Sequence, residues 1–143
     1  MQHLLLSHAS VIVDAALAKG REFECQPLTV SVLDAGGHLL ALKREDRSGI
    51  LRPQIAQAKA WGALGMGHGG RTLAERAAAA PAFFAALTDI SGGRIAPVPG
   101  GVLIRNEAGD LLGAVGISGD HPDKDEACAV AAITTAGLVA DCL

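Results

Sequence analysis

Two apolar stretches joined by Asp34-Ala-Gly-Gly-His38 constrain this chain more than any other feature. Leu28-Thr-Val-Ser-Val-Leu33 precedes the turn and Leu39-Leu-Ala-Leu42 follows it. Glycine supplies the positive φ that tight turns need, so the segment reads as a hairpin with strands at about 28–34 and 38–45. A second hairpin is expected at 101–105 and 111–117, around Asn106-Glu-Ala-Gly-Asp110. Two such hairpins predict one antiparallel sheet.

Elsewhere the apolar spacing is helical. It predicts helices at about 4–19, 53–64, 72–79, 81–87 and 123–142, with a flexible break at Gly65–Gly70. On the first helix Leu4, His8, Val11, Ala15 and Ala18 share a face, and Gly20 stands where glycine follows a C-cap. Pro53 suits a first helical turn, and Pro81 divides the two short helices. Asp123 and Glu126, three residues apart, read as a capping box for the last helix. The expected fold is α+β, one domain over residues 1–143, with a sheet of two hairpins covered by helices.

Composition narrows the function. The net charge is −3 and no basic run extends past Lys43-Arg44, which argues against nucleic acid as a partner. Half the residues are apolar but only 3% are aromatic. The excess is Ala, Leu, Val and Gly, suited to close helix packing and subunit contacts, so a homo-oligomer is expected. Cys25, Cys128 and Cys142 form no CxxC pair, and the five histidines have no metal-binding spacing, so neither a disulfide framework nor a metal site is expected. No apolar run reaches the roughly 18 residues of a membrane span, and no signal peptide is visible. A cytoplasmic protein without a membrane partner is the expectation.

The residues able to do chemistry cluster at element ends. Lys59 falls on a helix face with Ile55, Ala58, Gly62, Ala63 and Met66. An amine in that stripe is either a site group, acting as proton carrier or anion anchor, or a snorkelling or ion-paired structural one. An inward amine needs a carboxylate, with Asp34, Asp46 or Asp125 as the expected partner. Arg44 and Asp46 close the second strand two residues apart; Arg44 is suited to grip a carboxylate, or the two form a solvated pair. Asp34 and His38 flank the turn, where Asp commonly caps backbone N–H groups and His can carry protons or ligate iron. Gly100, Gly101, Gly113, Gly116 and Gly119 permit close backbone approach, and the segment Gly116, Ile117, Ser118, Gly119 before a helix is suited to present N–H groups to an anion as part of a ligand site.

Taken together, Val32-Leu-Asp-Ala-Gly-Gly-His-Leu-Leu-Ala-Leu-Lys-Arg-Glu-Asp46, Ile55-Ala-Gln-Ala-Lys-Ala60, Pro97-Val-Pro-Gly-Gly-Val102, Gly113-Ala-Val-Gly-Ile-Ser-Gly119 and Asp125-Glu126 resemble the signature of the GlcG/HbpS-like, haem-degrading-domain family. That family also includes the C-terminal domain of PduO-type corrinoid adenosyltransferases. The resemblance covers nearly the whole chain. It implies a profilin-like sandwich, assembly into dimers or larger, and, in some members, haem or corrinoid as ligand. The chain departs from the family at Arg44-Glu-Asp-Arg-Ser-Gly49, where relatives often read Arg-Met-Asp-Gly-Ala; Glu45 and Arg47 make the segment more polar.

Two functions follow as expectations. The first is a catabolic isomerase- or lyase-type enzyme acting on a small carboxylate, with Lys59, Asp46 and Asp34 in proton transfer and Arg44 as clamp. The second is a non-catalytic haem- or corrinoid-binding or sensing module with His38 as axial ligand. Both place the ligand between the sheet edge, helix 53–64 and loop 91–101.

Overall fold

A computed structural model describes residues 2–143. The helices are α1 (Leu6–Glu22), α2 (Arg52–Met66), α3 (Gly70–Ala79), α4 (Pro81–Ile90) and α5 (Pro122–Thr135). The strands are β1 (Thr29–Asp34), β2 (Leu39–Arg44), β3 (Gly101–Arg105), β4 (Leu111–Ser118) and β5 (Val139–Asp141). All strand pairs are antiparallel, in the order β2-β1-β4-β3-β5, so the two hairpins join through β1 and β4. The α+β sandwich read from the sequence is the fold observed.

Strand alternation divides the core. Val30, Val32, Val102, Ile104, Val115 and Ile117 face α1 and α5 and pack with Ile12, Val13, Cys128 and Ile133. Each such fully buried branched side chain contributes about 1.5–3 kcal/mol relative to exposure. The opposite face carries Leu33, Leu103 and Ala114 against Ala60 and Ala63 of α2. Ser31, Gly116 and Gly101 are register partners, making a row of small residues across three strands under α2. A Cβ on Gly116 would collide with the carbonyl oxygen of Ala56, and one on Gly101 with that of Lys59. The helix backbone therefore rests almost directly on the sheet, which is why these positions lack side chains.

Three boundaries or caps differ from the sequence reading, each for a physical reason. The last helix stops at Thr135, because Gly137 takes φ 77° and reverses the chain into β5, which pairs with β3. Gly20 lies inside α1, where a Cβ would press on Leu28; the helix ends at Glu22, with Glu24 left-handed at φ 56°. The buried face of α1 is Ala9, Ile12, Val13, Ala16 and Gly20, while Val11, on the face grouped from the sequence, is exposed. Asp123 and Glu126 do not form a capping box. His121 is the N-cap of α5, its Nδ1 accepting from the Asp123 N–H, while Glu126 binds Arg71 of α3.

The glycine row yields a contrast between two alanine substitutions. Gly116→Ala is expected to lose stability at the top of the roughly 1–3 kcal/mol range of overpacked cores, since backbone must move. Gly65→Ala, on α2 with open space around it, is expected to gain about 0.5–1 kcal/mol. Urea denaturation of the two variants measures both.

Candidate functional site

Asp34 and Thr29 mark opposite ends of β1, five residue steps or about 17 Å apart. The chemistry-bearing residues divide between these ends. Asp34 and His38 lie at the hairpin turn; Arg44, opposite Thr29 in the register, lies at the far end with Asp46 and Ser118. The structure therefore separates Asp34 from Arg44 and Asp46 by more than a small ligand spans.

Lys59 is buried, at 3% exposure, with its Nζ 2.8 Å from the Ile117 carbonyl oxygen and 3.2 Å from Oδ2 of Asp125. Asp125 was one of the three expected partners, and it is fully buried. The lysine reaches it past Gly100, whose φ of +117° and missing Cβ leave room for the side chain. Burial pushes the Lys59 ammonium down, and Asp125 offsets part of that. Burial likewise pushes the Asp125 carboxyl up, opposed by Lys59 and by the Asp120 N–H that donates to it at 3.1 Å. Among its α2 neighbours, Ala56, Ala60, Gly62 and Ala63 are buried with Lys59, while Ala58 turns toward a separate cleft. Lys59 lines none of the main clefts.

Gly116 and Ser118 are buried strand residues of β4, and the Ile117 N–H between them donates to the Gly100 carbonyl. Ser118 accepts a 2.9 Å hydrogen bond from Arg52 of α2. Gly119 passes against the Pro27 carbonyl. These residues hold α2 and the β4–α5 connection together, and the 116–118 backbone faces its neighbours in the sheet instead of an anion.

At the turn, Asp34 Oδ1 accepts from the Gly36 and His38 backbone N–H groups at 2.9 and 3.0 Å. The His38 ring presents Nδ1 to the same carboxylate at 3.1 Å. Burial pushes the Asp34 carboxyl up, but the two N–H groups and the imidazole outweigh it and hold it below its ordinary value. A carboxylate on Nδ1 fixes the tautomer with its proton there and leaves Nε2 as a free, oriented donor toward a metal. His38 is largely exposed, and its ring lines a depression with Gln2, His3, Leu4 and Leu112.

Beside this turn is a cleft of about 460 Å³ between Gly37 and Leu39, Gln54, Gln57, Ala58 and Trp61 of α2, and Gly92–Arg94. It occupies the place expected for the ligand. The single tryptophan of the chain forms one wall, and the Arg94 guanidinium stacks on it 4.0 Å from the ring centroid. Arg94 is steadied by its Nε donating to the Ser91 carbonyl at 2.7 Å. The sequence reading singled out neither Trp61 nor Arg94 as site residues. Trp61 stood on the helix face opposite Lys59, and only folding brings the Gly92-Gly93-Arg94 loop over it.

The chain belongs to the family described as haem degrading protein HbpS-like, which it matches over residues 4–134. Among solved structures it is similar to a PduOC–haem complex (TM-score 0.85, 24% identity, 95% of this chain and 96% of that one). It is similar to protein ORFY of Klebsiella pneumoniae at a TM-score of 0.85 and 25% identity, covering 96% and 92% of the two chains. A double mutant of HbpS from Streptomyces reticuli matches at TM-score 0.80 and 27% identity, covering 94% and 87%. No curated protein matches by sequence. Among the described residues no helix is long and apolar enough to cross a membrane.

Met fills much the same volume as Lys, so Lys59→Met changes little but the charge. The geometry makes it costly, because it strands a buried carboxylate. A loss of about 3–5 kcal/mol is expected in urea denaturation. Adding Asp125→Asn should recover most of it, since no buried charge remains and the amide oxygen still accepts from Asp120. The acid limb has its own test. Folded Asp34 releases its proton at lower pH than unfolded Asp34, so its contribution is complete above the ordinary carboxyl value and lost as pH falls through the lowered one. Asp34→Asn should flatten that part of the stability–pH curve.

Proposed function

We propose that this protein binds a planar, acidic tetrapyrrole of the haem type in the cleft between the β1–β2 hairpin, α2 and the Gly92–Arg94 loop. The observation that carries this reading is the combination of the Trp61 wall and the Arg94 guanidinium stacked on it at a largely apolar cleft. Leu33, Leu39, Ala58 and Trp61 offer apolar surface to a flat ring, and Arg94 offers two-pronged hydrogen bonding to a carboxylate substituent. The His38 ring lines a separate depression with Gln2, His3, Leu4 and Leu112, so the axial-ligand role expected for it is not part of this reading. Haem bound there would supply redox and Soret-absorbing chemistry. The family and the PduOC–haem neighbour support the same ligand class. The catabolic isomerase or lyase reading draws less support, because Lys59 is enclosed, Asp34 caps a turn and Asp46 stands at the other end of the sheet.

We infer in addition a cytoplasmic homo-oligomer. Ile50, Leu51, Phe83 and Ile90 are all more than half exposed, which disfavours an isolated chain. Light scattering at micromolar concentration should give a dimer or larger, and a monomer would remove this part of the reading.

Haemin titration tests the ligand. The expected result is a saturable Soret shift with quenching of the single tryptophan. Arg94→Ala should weaken binding about tenfold or more, while His38→Ala, outside the cleft, should leave it little changed. Absence of a saturable Soret change, or binding that leaves Trp61 fluorescence untouched, would count against this cleft.

A further inference from the structure

At the end of the sheet away from the cleft, a depression of about 500 Å³ is lined by Arg21, Pro27, Arg44, Glu45, Asp46 and Arg47. Its three guanidiniums are not equivalent. Arg21 is used internally: its Nε lies 3.1 Å from Glu45 Oε2 and its Nη2 donates to the Gln26 carbonyl. Glu45 is used too, since its Oε1 accepts from the Leu28 N–H at 2.7 Å and anchors the loop to β1. Arg44 is aimed rather than consumed. Its Nη1 donates to the Ser48 carbonyl at 2.8 Å, which fixes the plane of the guanidinium while its Nε and Nη2 make no protein hydrogen bond among the described residues. Arg47 has no ion-pair or hydrogen-bond partner there at all, and it holds φ +72°, the left-handed region that favours glycine. A long cationic side chain is kept at a position whose backbone favours having none.

We propose that this depression is a second binding site, for a small dicarboxylate, with Arg44 and Arg47 as its two clamps. Each planar guanidinium matches one carboxylate group through paired N–H donors. Two guanidiniums on one depression match a ligand carrying two carboxylates on a short carbon chain better than a single inorganic oxyanion. Asp46 on the rim disfavours additional negative charge and limits the ligand to a compact dianion. The site shares no lining residue with the Trp61 cleft and does not rest on the tetrapyrrole reading.

The probe is succinate, titrated at fixed ionic strength into isotope-labelled protein and read by backbone amide shifts. Saturable shifts confined to the Arg44–Ser48 segment and Arg21 are expected, with inorganic phosphate binding clearly more weakly. Arg47→Gly should weaken succinate binding about tenfold while its Tm stays at or above that of the unsubstituted protein, because glycine accepts the left-handed backbone. Haemin titration of the same variant should be unchanged. Unaltered succinate binding in Arg47→Gly, phosphate binding as tight as succinate, or no saturable succinate response in the unsubstituted protein would each overturn the proposal.

Discussion

The burial of the Lys59 ammonium is the constraint around which this molecule is arranged. A charged amine taken out of water needs a carboxylate and a further acceptor, and here these are Asp125 and the Ile117 carbonyl. Asp125 belongs to the helix on the other face of the sheet, so the side chain must pass the sheet's end. Gly100 makes that passage, and Gly101 and Gly116 let α2 lie close enough for it to be short. Arg52 and Ser118 repeat the link from the same helix to the same strand end. The glycines, the alanine-rich face of α2 and the acidic first turn of α5 thus serve one requirement. Packing alone would tolerate other small residues at several of these positions; the buried pair ties them to one register.

That arrangement leaves the two ends of the sheet with different chemistry. One end presents a cleft walled by an aromatic ring and an arginine and, in a separate depression, a carboxylate-held imidazole. The other presents guanidiniums around an open, polar depression. Strand length keeps them apart, since six residues of extended chain exceed the reach of any side chain. A residue set that looks like one active site when read along the chain becomes a sealed ion pair, a turn and a rim.

The fold was legible because it depends on local signals. Gly36-Gly37 and Gly109 punctuate the hairpins, and alternation along β1, β3 and β4 declares two buried faces. The errors fell where glycine was ambiguous. Gly20 and Gly137 both follow apolar helical runs, yet one is packed under Leu28 inside a helix and the other reverses the chain into β5. Nothing local distinguishes a glycine needed for close approach from one needed for positive φ. The five-stranded sheet was read as four strands for that reason.

Sequence by itself determined the antiparallel hairpins, the helices around them, the family, and the need of Lys59 for a carboxylate, because each follows from side-chain type and short-range spacing. Only the tertiary structure decided which carboxylate met the lysine, that Arg94 stacks on Trp61, and that Asp34 and Asp46 stand at opposite ends of the sheet. Those facts depend on contacts between residues 33 to 66 positions apart in the chain, and on the length of one strand. Spacing along a sequence carries no information about such distances until the sheet order and the helix layers are fixed.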